Sequence, residues 1–92
     1  MIGSVTFDIY IYESTSLKQK RAVLQRVLTR IKQRFNVSVA ETSHQNLWQR
    51  SELTIVGVNS DRVACEKELQ RVLTFIDSFP EVERTETVWE WL

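Results

Sequence analysis

Val5, Phe7, Ile9 and Ile11 alternate with Ser4, Thr6, Asp8, Tyr10 and Tyr12, and after a short hydroxyl-rich run the apolar spacing changes from two to three or four. A period of two over residues 2 to 12 is that of a strand buried on one face only. Leu17, Leu24, Val27, Leu28, Ile31 and Phe35 then share one side of a helix. Ser16 and Gln19, three positions apart, have the form of a capping box and place the helix start, while Asn36 suits its end. A one-faced strand followed at once by a one-faced helix has to bury both stripes in a shared core, which restricts the chain to layered architectures of sheet and helix.

The rest of the chain repeats that logic. Val37 and Val39 lead a second strand to about Thr42, the polar run TSHQN at 42 to 46 makes a hairpin-like connection, and a third strand is predicted from about Leu47 to Val58. Asn59, Ser60 and Asp61 cap a second helix whose stripe of Cys65, Leu69, Val72, Leu73, Ile76 and Phe79 stops at Pro80. Residues 81 to 92, rich in Val, Thr and Trp and free of breakers, read as a fourth strand. The order β-α-β-β-α-β is that of a ferredoxin-like α+β sandwich, a four-stranded antiparallel sheet with both helices on one face. Right-handed crossovers put strands one and three in the centre and strands two and four at the edges.

With 92 residues and 42% hydrophobic content, residues 1 to 92 are expected to form a single domain around one core. A domain of this size buries only about two thirds of the surface its unfolded chain exposes, so it gains readily from a second copy, and a homodimer is expected. Cys65 is the single cysteine, which excludes an internal disulfide and any thiolate metal set and favours a reducing, cytoplasmic setting. No apolar run approaches the roughly 18 residues that span a bilayer, and the first residues lack a basic signal-peptide start, so no membrane partner and no processing are expected. Gly3 and Gly57 are the only glycines, which excludes a glycine-rich phosphate loop. His44 has no cysteine partner and no triad spacing around it. No cofactor, no metal and no enzymatic activity are expected.

Charge is distributed unevenly. Residues 16 to 35 carry seven cations, Lys18, Lys20, Arg21, Arg26, Arg30, Lys32 and Arg34, and no acid, in a chain of formal net charge zero. Residues 1 to 50 hold eight cations and three acids, residues 51 to 92 four cations and nine acids, so the halves stand at +5 and −5. On a helical projection Arg26 and Arg30 point away from the core, Lys18 and Lys32 lie on one flank and Arg34 on the other. Lys20 and Arg21 sit at the margins of the apolar stripe, where their stems can cover it while their heads reach outward. Arg26/Arg30 and Arg30/Arg34 are like-charge i,i+4 pairs, each unfavourable by roughly 0.2 to 0.5 kcal/mol in an isolated helix. The functional reading is a ridge that docks on RNA phosphates. The plainer reading is a solvated helix face paired with acids of the fourth strand or second helix.

Tyr10 and Tyr12 share the face of the first strand turned away from the helices, and Trp89 and Trp91 share one face of the fourth, its expected neighbour. If both pairs face outward they form an aromatic cluster on the open side of the sheet, suited to a protein interface or, less well, to base stacking. Trp48, Gln49 and Arg50 open the third strand beside His44, and Arg50 either joins a binding surface or pairs with Glu41 or Asp8 across strands.

SLKQKRAVLQRVLTRIKQRFNVSVAE at 16 to 41, WQRSEL at 48 to 53 and FPEVE at 79 to 83 resemble the small bacterial YlxP-like family, a domain of unknown function. The resemblance covers essentially the whole chain and rests most on Leu17, Lys18, Lys20 and Arg21, on Arg34 to Glu41 and on Trp48 to Arg50. His44, Gln45 and Asn46 depart from it, standing at a hairpin where relatives often carry aspartates. The resemblance implies a ferredoxin-like fold, a bacterial cytosolic protein, and gene neighbours concerned with transcription elongation, translation initiation and ribosome-binding factor A. It implies no catalytic residue.

The resulting expectation is a non-enzymatic RNA- or ribosome-associated binding protein, with phosphate contacts from Lys18, Lys20, Arg21, Arg26, Arg30, Lys32, Arg34 and Arg50. The alternative is a protein-interaction or homodimerisation domain that uses Tyr10, Tyr12, Trp48, Trp89 and Trp91 with the acidic fourth strand.

Overall fold

The computed structural model describes all residues from Met1 to Leu92. Its elements are β1 (Ile2–Tyr10), α1 (Leu17–Arg34), β2 (Ser38–Ser43), β3 (Arg50–Val58), α2 (Arg62–Asp77), β4 (Glu83–Arg84) and β5 (Val88–Trp91). The sheet runs β2-β3-β1, followed on the far side of β1 by β4 and β5 in turn, with every neighbouring pair antiparallel. This is the ferredoxin-like arrangement expected from the order of elements, with β1 and β3 central.

The helices start where local chemistry allows. The Ser16 hydroxyl accepts from the Gln19 amide at 3.1 Å, and Gln19 Oε1 reaches back to the Thr15 amide at 2.7 Å, one residue earlier than in the usual capping box. The Asp61 carboxylate accepts from the Ala64 amide at 3.2 Å and opens α2. One cluster of sixteen buried apolar residues fills the space between sheet and helices, with Val5, Phe7, Ile9, Leu53 and Ile55 on the sheet side, Leu24, Val27 and Ile31 from α1, and Leu69, Val72, Leu73 and Ile76 from α2.

The final strand departs from the expected single run over 81 to 92. Pairing with β1 follows Ile9↔Arg84 in β4 but Val5↔Trp89 in β5, so one extra residue lies between the two registers. At the break, Thr85 replaces part of the ladder: its amide and hydroxyl donate to the Asp8 carbonyl at 2.9 and 3.0 Å, and its Oγ1 accepts from the Asp8 amide at 3.2 Å. A one-residue offset exchanges the faces of a strand. Trp89 and Trp91 therefore point to the helix side, opposite Val5 and Gly3, and pack against the core. They do not share the open face with Tyr10 and Tyr12, which corrects the aromatic cluster expected from an unbroken strand. Gly3 makes this possible, since a Cβ there would lie 2.8 Å from Trp91 Cζ3 and 2.9 Å from Leu69 Cδ1.

Candidate nucleic-acid interface

The seven cations of α1 divide once the helix is seated. Lys20 is fully buried. Its Nζ donates to the carbonyls of His44, Arg50 and Gln45 at 2.7, 3.1 and 3.3 Å and lies 3.2 Å from the Glu41 carboxylate. Those acceptors belong to the end of β2, the following turn and the start of β3, so Lys20 ties the hairpin to α1. It is withdrawn from the expected phosphate-binding set because a buried ammonium needs its acceptors inside the fold. Arg26 is also engaged, at 2.6 Å from the Glu81 carboxylate. Lys18, Arg21, Arg30, Lys32 and Arg34 are exposed and have no carboxylate partner.

Arg30 and Arg34 meet something else. The two helices run in opposite directions, so Arg26 faces Glu81, the Arg30 guanidinium lies 5.7 Å from the centre of the Phe79 ring, and that of Arg34 lies 4.9 Å from Phe75. The pair Phe75 and Phe79, edge to face with centroids 5.3 Å apart, thus matches the pair Arg30 and Arg34 at the same i,i+4 spacing. Between them runs an open groove of about 700 Å³. The sequence holds a signal for it, two Arg on α1 and two Phe at the same spacing across the end of α2, but only Phe79 falls on the apolar stripe read for the second helix.

The open face of the sheet is polar. Thr6, Thr54 and Thr42 link their hydroxyls at 3.1 and 2.9 Å, and Thr42 donates to Glu52 at 2.6 Å. Asp8, directly across from Glu52, accepts from Arg50 Nε at 2.7 Å and a second time from the Arg50 terminal nitrogen, and His44 Nε2 stands 3.7 Å from the same carboxylate oxygen. His44 itself occupies the left-handed region at φ 63°, at the first position of the hairpin turn. Asp8, His44 and Glu52 bring three metal-capable side chains within 4.8 Å of one another, a grouping the sequence did not reveal. Arg50 and Thr42 already satisfy its two carboxylates. Arg50 is thus paired with Asp8, and the hydrogen bond to that carboxylate raises its pKa further.

Tyr10 and Tyr12 stack with centroids 5.4 Å apart, and Arg50 lies 5.5 Å from the Tyr10 ring. Tyr12 is 59% exposed and Trp48 is 56% exposed, so of the five aromatic interface candidates these two stand clear of the surface and Tyr10 is half-buried. Gln49 donates to the carbonyls of Tyr12 and Ser14 at 2.9 Å each, which makes it a clamp on the β1–α1 loop. The motif residues thereby separate by role. Lys20, Gln49 and Arg50 hold the hairpin, β1 and α1 together, while Lys18, Arg21 and Arg34 have no carboxylate partner.

Comparison with known proteins matches nearly the whole chain. Residues 2 to 89 match a family described as protein of unknown function DUF503. The chain belongs to this family. It is 57% identical over 91 residues to the uncharacterized protein YlxP of Bacillus subtilis (strain 168), covering 99% of each chain. Among solved structures it resembles the de novo designed protein Foldit4, with a TM-score of 0.61 and 18% identity over 100% of this chain and 99% of the design. At that identity the likeness concerns the fold alone. No helix of this family member is long and apolar enough to cross a membrane.

Proposed function

We propose that this DUF503 protein is a non-enzymatic RNA- or ribosome-associated binding module of the bacterial cytosol, with α1 supplying the phosphate contacts. One observation carries the reading: five of the seven α1 cations, Lys18, Arg21, Arg30, Lys32 and Arg34, stand at the surface without a carboxylate, although the chain holds twelve acids. Electroneutrality overall with a basic ridge on one helix favours oriented contact with a polyanion. The test is binding to structured RNA and to ribosomal subunits across a salt titration. Counterion release requires affinity to fall steeply as salt rises. Affinity indifferent to salt, or capture from lysate unchanged by nuclease, would count against it.

A second reading, self-association through the open sheet face, rests on the outward Tyr10–Tyr12 stack and on exposed Trp48 now that Trp89 and Trp91 face the core. Sedimentation of the wild type beside a Tyr12→Ser, Trp48→Ser variant separates the two. A monomer mass in both removes the dimer.

A further inference from the structure

We propose that the groove between α1 and the end of α2 receives an unpaired stretch of RNA in preference to a duplex. A phosphate sits on the Arg30 and Arg34 forks and a base lies on a guanidinium plane. This rests on the RNA-binding reading of α1 and names the form of RNA that α1 takes.

Four observations carry it. First, Arg30 and Arg34 have no carboxylate partner, so their N–H donors are free for a phosphate, which arginine can hold through two parallel hydrogen bonds. Second, the central guanidinium carbons of Arg30 and Arg34 lie over the Phe79 and Phe75 rings, 5.7 and 4.9 Å from their centres. A plane held by a ring on one side offers its other side to a base, as arginine does in single-strand recognition. Third, the groove is open and of about 700 Å³, room enough for a nucleotide to lie along it. A duplex keeps its bases stacked inside and can offer this groove its phosphates alone, whereas an unpaired strand offers bases as well. Fourth, Gln33 lines the same groove and brings an amide donor and acceptor that can meet a base edge.

Glu81 works against occupancy. Its carboxylate holds Arg26 at 2.6 Å on the rim and so occupies the third arginine of the groove. The last carbonyls of α2 are less of an obstacle, since Phe75 O accepts from the Ser78 amide and hydroxyl at 3.1 and 2.5 Å and Ile76 O from the Phe79 amide at 3.1 Å. Lys32 and Arg34 also complement the C-terminal end of the α1 dipole, and that structural role is one of the outcomes tested.

The experiment is fluorescence anisotropy of the full chain with a labelled ten-nucleotide oligouridine and with an RNA hairpin of equal phosphate number, both at low salt. The single strand is expected to bind at least about tenfold more tightly than the hairpin. An Arg30→Lys, Arg34→Lys variant keeps the charge and loses the planes. It is expected to weaken single-strand binding about five- to tenfold and hairpin binding less than about twofold. Glu81→Gln is expected to tighten single-strand binding about three- to tenfold, and Glu66→Gln, the same charge change near the other end of α2, less than twofold. Melting of each variant is followed in parallel, because a purely structural role for the arginines lowers Tm and leaves affinity unchanged. Equal binding of both RNAs with no effect of the lysine variant overturns the groove and leaves the ridge reading standing. No binding of either RNA overturns both.

Discussion

Lys20 shows how much a single side chain can change in meaning between sequence and structure. Its stem lies at the margin of the α1 stripe, yet its Nζ is the hub of three carbonyls and the Glu41 carboxylate. Lys20→Met leaves those acceptors without a donor and is expected to cost about 2 to 4 kcal/mol, discounted because Glu41 keeps some contact with water. Chemical denaturation measures it, and a loss below about 0.5 kcal/mol would show that the ammonium is not held there. Gly3 is the complementary case, a residue that matters for what it lacks. Gly3→Val drives a branched side chain into Trp91 and Leu69 and is expected to destabilise by about 1 to 3 kcal/mol, seen in the same measurement. Tyr12 has its pKa raised above 10, first by partial desolvation and then by the negative charge of the nearby Glu83 carboxylate. A raised pKa on an acid means the folded chain holds its proton longer than the unfolded one, so this group makes stability fall as pH rises through 10 and beyond. Ultraviolet titration should place one tyrosine step above the ordinary range, and Glu83→Gln should bring it part of the way back; an unmoved step would exclude the carboxylate as a cause.

The last strand and the first helix carry the decisions made by whole elements. The extra residue between β4 and β5 sends Trp89 and Trp91 inward, where Arg62 lies 4.6 Å from the Trp91 ring. Deleting Glu86 removes the extra residue. Either β5 slips, turning both indoles to the open face, or it detaches. In a Trp48→Phe background, which silences the exposed indole, the deletion is expected to shift tryptophan emission to the red and lower Tm by several degrees. Unchanged emission would show that the offset does not aim the indoles. In α1 the like-charge pairs Arg26/Arg30 and Arg30/Arg34 are relieved by different means, an ion pair with Glu81 and two guanidinium–ring contacts. The element can therefore stay basic without unravelling.

For the molecule as a whole, the charge halves of +5 and −5 interleave in the sheet but leave α1 positive. If all five unpaired α1 cations meet single-stranded phosphates, log affinity should fall with log salt at a slope of about −3.5, and if only Arg30 and Arg34 do, about −1.4. Anisotropy at several salt concentrations distinguishes these, and a slope near zero contradicts phosphate docking by either set.

Periodicity made the architecture readable, since apolar stripes of period two and 3.6, with Ser16, Asp61 and Pro80 as punctuation, allow few layered arrangements. That a designed protein at 18% identity shares the fold follows from the same cause. The basic character of α1 was equally legible, because charge is a property of residue types. Which of those charges are free was not. Lys20 and Lys18 lie two positions apart on one helix, and only the arrival of the β2–β3 turn over one of them separates a buried strut from a surface cation. Nor could residues 85 to 87 announce an extra position, because a register offset is settled by hydrogen bonds between strands almost eighty residues apart in the chain. Local pattern dictates which elements form and which face each buries. The meeting of distant segments, where one residue of slip or one carbonyl within reach reverses a side chain's surroundings, assigns what each surface is left to bind.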